Sequence, residues 1–442
     1  MITATPLIIL LILATSAWAT KPNIVFIYAD DMGWTGTSIE MIQGQAKTKS
    51  DYYQTPHLEK LAAEGTVFSQ AYSPGPMCTP SRAGVLTGKT PAELRITTPG
   101  GGRLDTSHSM IPPKTTTQLP EDIPTIGTLL KRSGYRTALL GKWHLGRKGD
   151  AGDYGFDLHD GPTANEDQGT HDDPKEIFSL TKRGIEFMKE SVQTDTPFYL
   201  QLSHYAVHTP IQSRPKSIQF FERTDRGEIH TDPQYAGMTQ DLDDSVALIR
   251  RALEELHITE TTYLVFMSDN GAPGNSRRPH NAPLNKGKGS LYEGGIRVPL
   301  IICGPGVKRG YCTEPVSGTD LLATFARWAE TEVANEESHD LTPLLTHTSN
   351  SFKRDRALLF HYPHYGKGPA QKPQTALISG NWKLLKDWES GTCELFDLAS
   401  DLGEKLDVSA REPKRFAAMD QMMKQRLAAT RAQLPKKNPT FD

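Results

Sequence analysis

Cysteine is scarce in this sequence. Four residues of 442 are Cys (Cys78, Cys303, Cys312 and Cys393), and no two stand in C-x-x-C spacing. That excludes a disulfide scaffold and a zinc knuckle. Cys303 and Cys312 either pair across the intervening "GPGVKRGY" or remain buried thiols. Excess positive charge is also missing: the formal net charge is −3, which argues against a protein that coats nucleic acid by neutralising phosphates. No Asn-x-Ser/Thr acceptor with an allowed middle residue occurs, which favours a bacterial envelope protein over a eukaryotic secreted one. Beyond the first twenty residues no apolar stretch is long enough to cross a bilayer. Internal repeats and long low-complexity segments are absent. With 37% hydrophobic and 23% charged residues, the chain can bury a sizeable core.

What is present begins with the N-terminus. Leu7 to Ala14 is nearly unbroken apolar sequence, and Ala17-Trp18-Ala19 fits a small-x-small cleavage site, although no Lys or Arg precedes the run. The run is shorter than a membrane span. It reads as a signal peptide over 1–19, giving an exported chain that starts near Thr20, periplasmic or extracellular, with no membrane span after cleavage.

The rest alternates strands with helices. "NIVFIYADD" (23–31) reads as a buried strand ending in two carboxylates. Residues 55–68, 125–146 and 243–271 each read as a helix feeding a strand, and 197–210 and 297–306 add two more strand candidates. Such alternation predicts an α/β fold, a mostly parallel sheet covered by helices on both faces, over a catalytic domain spanning 20–345. From about residue 346 the texture changes. Short antiparallel strands and an amphipathic helix over 412–434 predict a smaller C-terminal α+β subdomain, 346–442.

In parallel sheets ligands collect beyond the carboxyl ends of the strands. Asp30-Asp31, Lys142 and His144, His204 and His208, and Asp269-Asn270 all fall at or just past predicted strand ends. Three carboxylates and an amide at one sheet edge would repel unless a cation lay between them, and all-oxygen ligation points to Ca²⁺ or Mg²⁺. Arg82, Lys142, His144, His208 and Lys288 supply the charge and proton donors that a tetrahedral oxyanion needs. Lys142 and His144, two apart, share a face if their segment is extended.

The stretch "CTPSRAGVLTG" (78–88) resembles the Cys-x-Pro-Ser-Arg signature of the type I sulfatase family. "NIVFIYADDMGW", "GKWHLG", "SDNGA" and "GKGSLYEGGIRVP" resemble that family's other blocks in the family's order, from Asn23 to the C-terminal "WKLLKD" and "CELFDLASDLGE". The resemblance implies an alkaline-phosphatase-like fold and oxidation of Cys78 to Cα-formylglycine by a formylglycine-generating or sulfatase-maturating enzyme. It also implies a Ca²⁺ ion held by Asp30, Asp31, Asp269, Asn270 and modified residue 78. The hydrated aldehyde carries two hydroxyls: one attacks sulfur, and the second expels sulfate by elimination. Arg82 and Lys142 then steady the diol, His144 takes the proton of the second hydroxyl, and His208 and Lys288 hold sulfate and protonate the leaving alcohol. His208 precedes Thr209-Pro210 and fits that pattern, with His204 as the neighbouring alternative; Val207 stands where many relatives carry Pro.

For the substrate, export favours a sulfated polysaccharide or oligosaccharide, gripped by Arg103, Arg277, Arg278 and His280 in the loops around the sheet edge. Two other readings are a phosphodiesterase or phosphonate hydrolase on the same fold, and a non-catalytic secreted carbohydrate-binding protein.

Overall fold

The computed structural model describes residues 21–101, 106–116, 118–146, 149–165, 169–274, 280–346, 351–366, 368 and 371–441. The segment read as a signal peptide lies outside them. Among the described residues no helix is long and apolar enough to cross a membrane.

At the centre is β1 (Asn23–Ala29), buried along its whole length. Its β-branched and aromatic side chains alternate between two cores, as a period of two requires. Ile24, Phe26 and Tyr28 enter one core and Val25, Ile27 and Ala29 the other. A strand that is apolar on both faces must be covered on both. One face is covered by α2 (Cys78–Thr87), α3 (Ile126–Arg132) and α6 (Asp320–Trp328). The other is covered by α1 (Pro56–Glu64), α4 (Ile177–Gln193) and α5 (Pro233–Glu255). The remaining strands of this sheet are β2 (Thr66–Phe68), β3 (Arg136–Gly141), β4 (Leu158–His159), β5 (Phe198–Ser203), β6 (Thr262–Ser268), β7 (Leu300–Cys303) and β8 (Gly310–Cys312). Their order across the sheet is β8-β2-β7-β6-β1-β5-β3-β4. All pairings are parallel except those of β7, which runs against both neighbours. The α/β reading therefore holds, with one reversed strand.

Register makes the site. Tyr28 lies opposite Ser203 and Met267, Ala29 opposite Ser268, and Gly141 opposite Ser203. The chains therefore leave the sheet side by side, at Asp30, Lys142, His204 and Asp269.

β2 lies between the strands that carry Cys303 and Cys312, and the two side chains face opposite cores. They cannot form a disulfide, and all four cysteines are free.

The C-terminal sheet is antiparallel, in the order β9 (Leu358–Tyr362), β10 (Gln374–Ser379), β11 (Trp382–Asp387), β12 (Cys393–Asp397). One face, including Phe360, Ile378 and Leu385, packs on Tyr72, Leu291 and Ile296 of the larger unit. The other, including Leu359, Leu377, Leu384 and Leu395, is covered by Met419, Met423 and Leu427 of α7 (Pro413–Ala429). An ionic cluster locks the seam. Lys383 of β11 sits 2.9 Å from Glu293 and 2.7 Å from Glu404, and Arg297 holds Glu293 at 3.1 Å. The side chains of Lys383, Glu293 and Glu404 are all 0% exposed.

Candidate active site

The motif around Cys78 is built for position. Cys78 is the first residue of α2, and Met77 before it is extended. Pro80 stands in the first turn, where its missing N–H costs nothing. The Ser81 hydroxyl accepts from Gly75 N and donates to Gly75 O, which fixes the loop entering the helix. Thr79 donates to the backbone oxygen of His144 at 3.0 Å. Arg82, four residues after Cys78, returns to the same face one turn deeper. Its Nε and Nη2 donate to one oxygen of Asp269 at 3.0 and 2.8 Å, and its Nη1 donates to Lys142 O and Ser203 Oγ at 3.0 and 2.6 Å. The Tyr28 ring lies 5.0 Å beneath the guanidinium. Gly88 ends the helix at φ 67, a left-handed cap that glycine takes without strain.

Carboxylates and cations interleave around the Cys78 sulfur. Lys142 Nζ is 2.5 Å from Asp30 Oδ2, and Lys288 Nζ donates to Asp31 Oδ2 at 2.8 Å and Cys78 Sγ at 3.3 Å. Asn270 donates to Asp31 Oδ1 at 2.6 Å. His208 Nε2 is 3.7 Å from Asp31 Oδ2. Its Nδ1 bonds the Thr209 carbonyl, so that nitrogen carries hydrogen and the neutral ring presents a bare Nε2 to the site. Burial opposes ionisation of Asp30, yet Lys142 and Arg82 hold its carboxyl well below the usual range. Burial, then Asp30, push Asp269 up to about 7. Burial works against the charge on Lys288, but Asp31 and Cys78 keep its ammonium well above the ordinary value. Burial lifts the Cys78 thiol to about 12, which Lys142 and Lys288 only partly offset. Burial and the cations Lys142 and Arg82 drive His144 down to about 2, which favours the neutral imidazole.

These residues fit a hard divalent cation. Asp30, Cys78 and Asp269 offer ligand atoms within 4.8 Å of one another, and so do Asp31, Cys78 and His208. Asp30 Oδ1 and Asn270 Oδ1 are buried and accept no hydrogen bond among the described residues. Buried oxygens ordinarily find a partner. Two that lack one, within a cluster of three carboxylates and an amide, are donors that an oxygen-seeking ion would take.

Asp30, Asp31, Cys78, Arg82, Lys142, His144, His208, Asp269, Asn270 and Lys288 thus converge. His204 does not join them. It is fully buried, neither ring nitrogen has a hydrogen-bond partner among the described residues, and burial lowers its pKa to about 4. Lys142 and His144 converge by a turn, since His144 has φ 57 and the segment past β3 is not extended. His280 is 6% exposed, stacked on Tyr235 at 4.5 Å and bonded through Nδ1 to the Tyr53 hydroxyl. It packs as an interior side chain behind the Asp31 backbone, to which Tyr235 donates, rather than facing incoming substrate. Arg103, Arg277 and Arg278 lie outside the described residues. Residues with no sequence signal also serve the site. Ser203 links Arg82 to the Lys142 carbonyl, Ser268 Oγ accepts from Met32 N, and Gln371 of the C-terminal unit donates to Lys288 O at 3.0 Å.

Comparison with known proteins agrees with this arrangement. The family model described as Sulfatase matches residues 22–331, and that of the N-sulphoglucosamine sulphohydrolase C-terminal region matches 287–433. A curated sulfatase of Formosa agariphila is 27% identical, over 89% of this chain and 86% of its own length. Human arylsulfatase A is 31% identical, over 81% of this chain and 74% of its own. The crystal structure of Ps i-CgsB in complex with k-i-k-neocarrahexaose superposes with a TM-score of 0.77 at 26% identity, covering 95% of this chain and 94% of that one. With the fold and sheet edge described above, these matches establish that the chain belongs to the sulfatase family of the alkaline-phosphatase superfamily and is a sulfuric ester hydrolase.

Proposed function

We propose that this is an exported sulfatase that removes sulfate from a sulfated polysaccharide or oligosaccharide, using a formylglycine made from Cys78 and a bound Ca²⁺. One observation carries the reading of residue 78. Its sulfur stands at the focus of Lys142, Lys288, Asp30 and Asp269, yet the thiol is held near 12 and would be a protonated, feeble nucleophile. A site this elaborate makes sense around a different group at that position. The hydrated aldehyde supplies an oxygen nucleophile together with a second hydroxyl for release.

Asp30, Asp31, Asp269 and Asn270 would hold the cation, whose charge favours the ionised diol and draws in sulfate oxygens. The chain's own groups do the remainder. Arg82, fixed by Asp269, Lys142 O and Ser203, presents constant positive charge one helical turn from residue 78. Lys142 and Lys288 steady charge on residue 78 and on the sulfate. His208, with Nε2 turned to the site, takes a proton in the cationic form and delivers it to the departing alcohol. His144, whose buried Nδ1 has no hydrogen-bond partner among the described residues, is the group that would take the proton of the second hydroxyl. The carbohydrate reading draws support from Ps i-CgsB, solved with a carrahexaose.

Mass spectrometry of the peptide containing residue 78, metal analysis, and turnover on aryl sulfate, aryl phosphate and defined sulfated oligosaccharides test this. An aldehyde mass, one divalent ion per chain and sulfate-selective turnover that extends to oligosaccharides are expected. An active enzyme with an unmodified thiol would refute the nucleophile, and turnover confined to phosphate esters would refute the reaction.

A further inference from the structure

The C-terminal helix carries a charge pattern the catalytic site does not use. Residues 411–437 hold eight Lys or Arg against two acidic residues, a net of +6 in a chain whose total is −3. Between α7 and the end of β11 runs a groove of about 530 Å³, within the roughly 300–1,000 Å³ typical of ligand sites. Met423 and Leu427 form its apolar floor, and Trp388 forms a wall with its indole N–H fixed on Thr375 at 2.9 Å. Lys386, Lys424 and Arg431 stand around it. Lys386 lies 4.7 Å over the Trp388 ring. Lys424 is paired at 2.6 Å with Asp420, the one carboxylate in the groove's lining. Lys386 and Arg431 have no carboxylate at ion-pair distance among the described residues. Beyond Leu434, which also lines the groove, the exposed Lys436 and Lys437 pair as a short strand with Met110 and Ile111.

We propose that this groove is a second, non-catalytic binding site for a sulfated polysaccharide chain. The occupant follows from the chemistry. The indole and aliphatic floor suit the C–H faces of sugar rings, and Lys386 and Arg431, with no carboxylate at ion-pair distance among the described residues, suit sulfate groups. A flat anionic membrane is a poorer match, because α7 turns its apolar face, Met419, Met423 and Leu427, into the protein. The groove lies on the side of the small sheet facing away from the catalytic unit, yet it is joined to the active site. Trp388 N donates to Pro373 O, and Gln371, two residues earlier, holds Lys288 O. A polymer held there stays on the enzyme while sulfates are removed at residue 78. The inference rests on the polysaccharide reading above.

The test compares wild type with the triple variant Lys386→Ala, Lys424→Ala, Arg431→Ala and separately with Trp388→Phe. The probes are fluorescent dextran sulfate, unsulfated dextran, and phosphatidylglycerol vesicles; aryl sulfate turnover reports on the catalytic site. Wild type should bind dextran sulfate in a salt-dependent way and leave dextran unbound. The triple variant should lose at least about tenfold in affinity and show a shallower salt dependence, with aryl sulfate kcat/KM unchanged. Trp388→Phe should lose less. Equal dextran sulfate affinity in wild type and triple variant, or binding fully displaced by aryl sulfate, overturns the second site. So does a dependence on these residues seen with vesicles alone. Failure of the polysaccharide reading looks different: aryl sulfate is hydrolysed and no polymer is ever desulfated, whatever the groove binds.

Discussion

At the scale of single residues, the proposed mechanism separates groups that hold charge from groups that move protons, and the two kinds should fail differently. Cys78→Ser keeps an attacking oxygen but lacks a second hydroxyl. Turnover should fall by at least about a thousandfold, while the melting temperature stays within a few degrees of wild type. The histidines differ from each other. Loss of His144, a buried neutral base, should leave one equivalent of alcohol released before turnover stops. Loss of His208 should slow the first release itself, by roughly 10²–10⁴-fold on an alkyl or sugar sulfate and much less on nitrophenyl sulfate, whose leaving group needs no proton. Rapid-quench measurement of alcohol release with both substrates decides this, and identical bursts in the two variants would refute the division of labour. Much of this set is legible in the sequence, because Asp30, Asp269 and Lys142 follow directly on apolar runs that can only be strands. The supporting residues are not: Ser203, Ser268 and Gln371 are ordinary polar residues whose role exists only once distant segments meet.

At the scale of elements, α1 and α5 show how a helix end is satisfied from elsewhere in the fold. Asp243, inside α5, accepts the free backbone N–H groups of His57 and Leu58 at 3.0 and 2.8 Å, in the first turn of α1. Burial pushes its carboxyl up to about 7, and the two donors offset only part of that. A carboxyl whose folded pKa lies above its ordinary 3.8 binds the proton more tightly when folded. The stability this group contributes is therefore greatest in acid and falls as pH rises from about 4 to about 7. Asp243→Asn should flatten that part of the melting temperature against pH, as differential scanning fluorimetry would show; an unchanged slope would remove Asp243 as its source. Strand β1 is legible from six consecutive apolar or β-branched positions, Ile24 to Ala29, and the small sheet from its short alternating runs. Helix α4 is harder to see, because the buried stripe Ile177, Leu180, Thr181, Gly184, Phe187, Met188, Ser191 uses Thr, Gly and Ser where Leu would announce a core. The reversed direction of β7 is equally hidden, since a short buried strand reads the same whichever way it runs.

At the scale of the molecule, the two units are joined by charge as well as by apolar contact. Burial and the nearby Glu293 raise Glu404 to about 7, while Lys383 bonds both carboxylates. Lys383→Ala would strand buried Glu404 and leave Glu293 with Arg297 as its cation, and should cost about 3–5 kcal/mol. Urea denaturation would measure it, and a loss under about 1 kcal/mol would show that the cluster is not what holds the seam. Glu293 lies five residues past Lys288, on the same Gly-rich segment, and Gln371 grips the Lys288 backbone from the far side. Glu293 and Arg297 also fall within residues 287–331, which both family models match. The C-terminal unit is therefore a poor module to trade. A chimera that grafts another sulfatase's small sheet onto this chain must bring matching partners for Glu293 and Lys288, or inherit a pocket in which Lys288 has lost its backing. Breeding new specificities from such parts would go further by changing the loops that rise from this frame than by cutting at the seam.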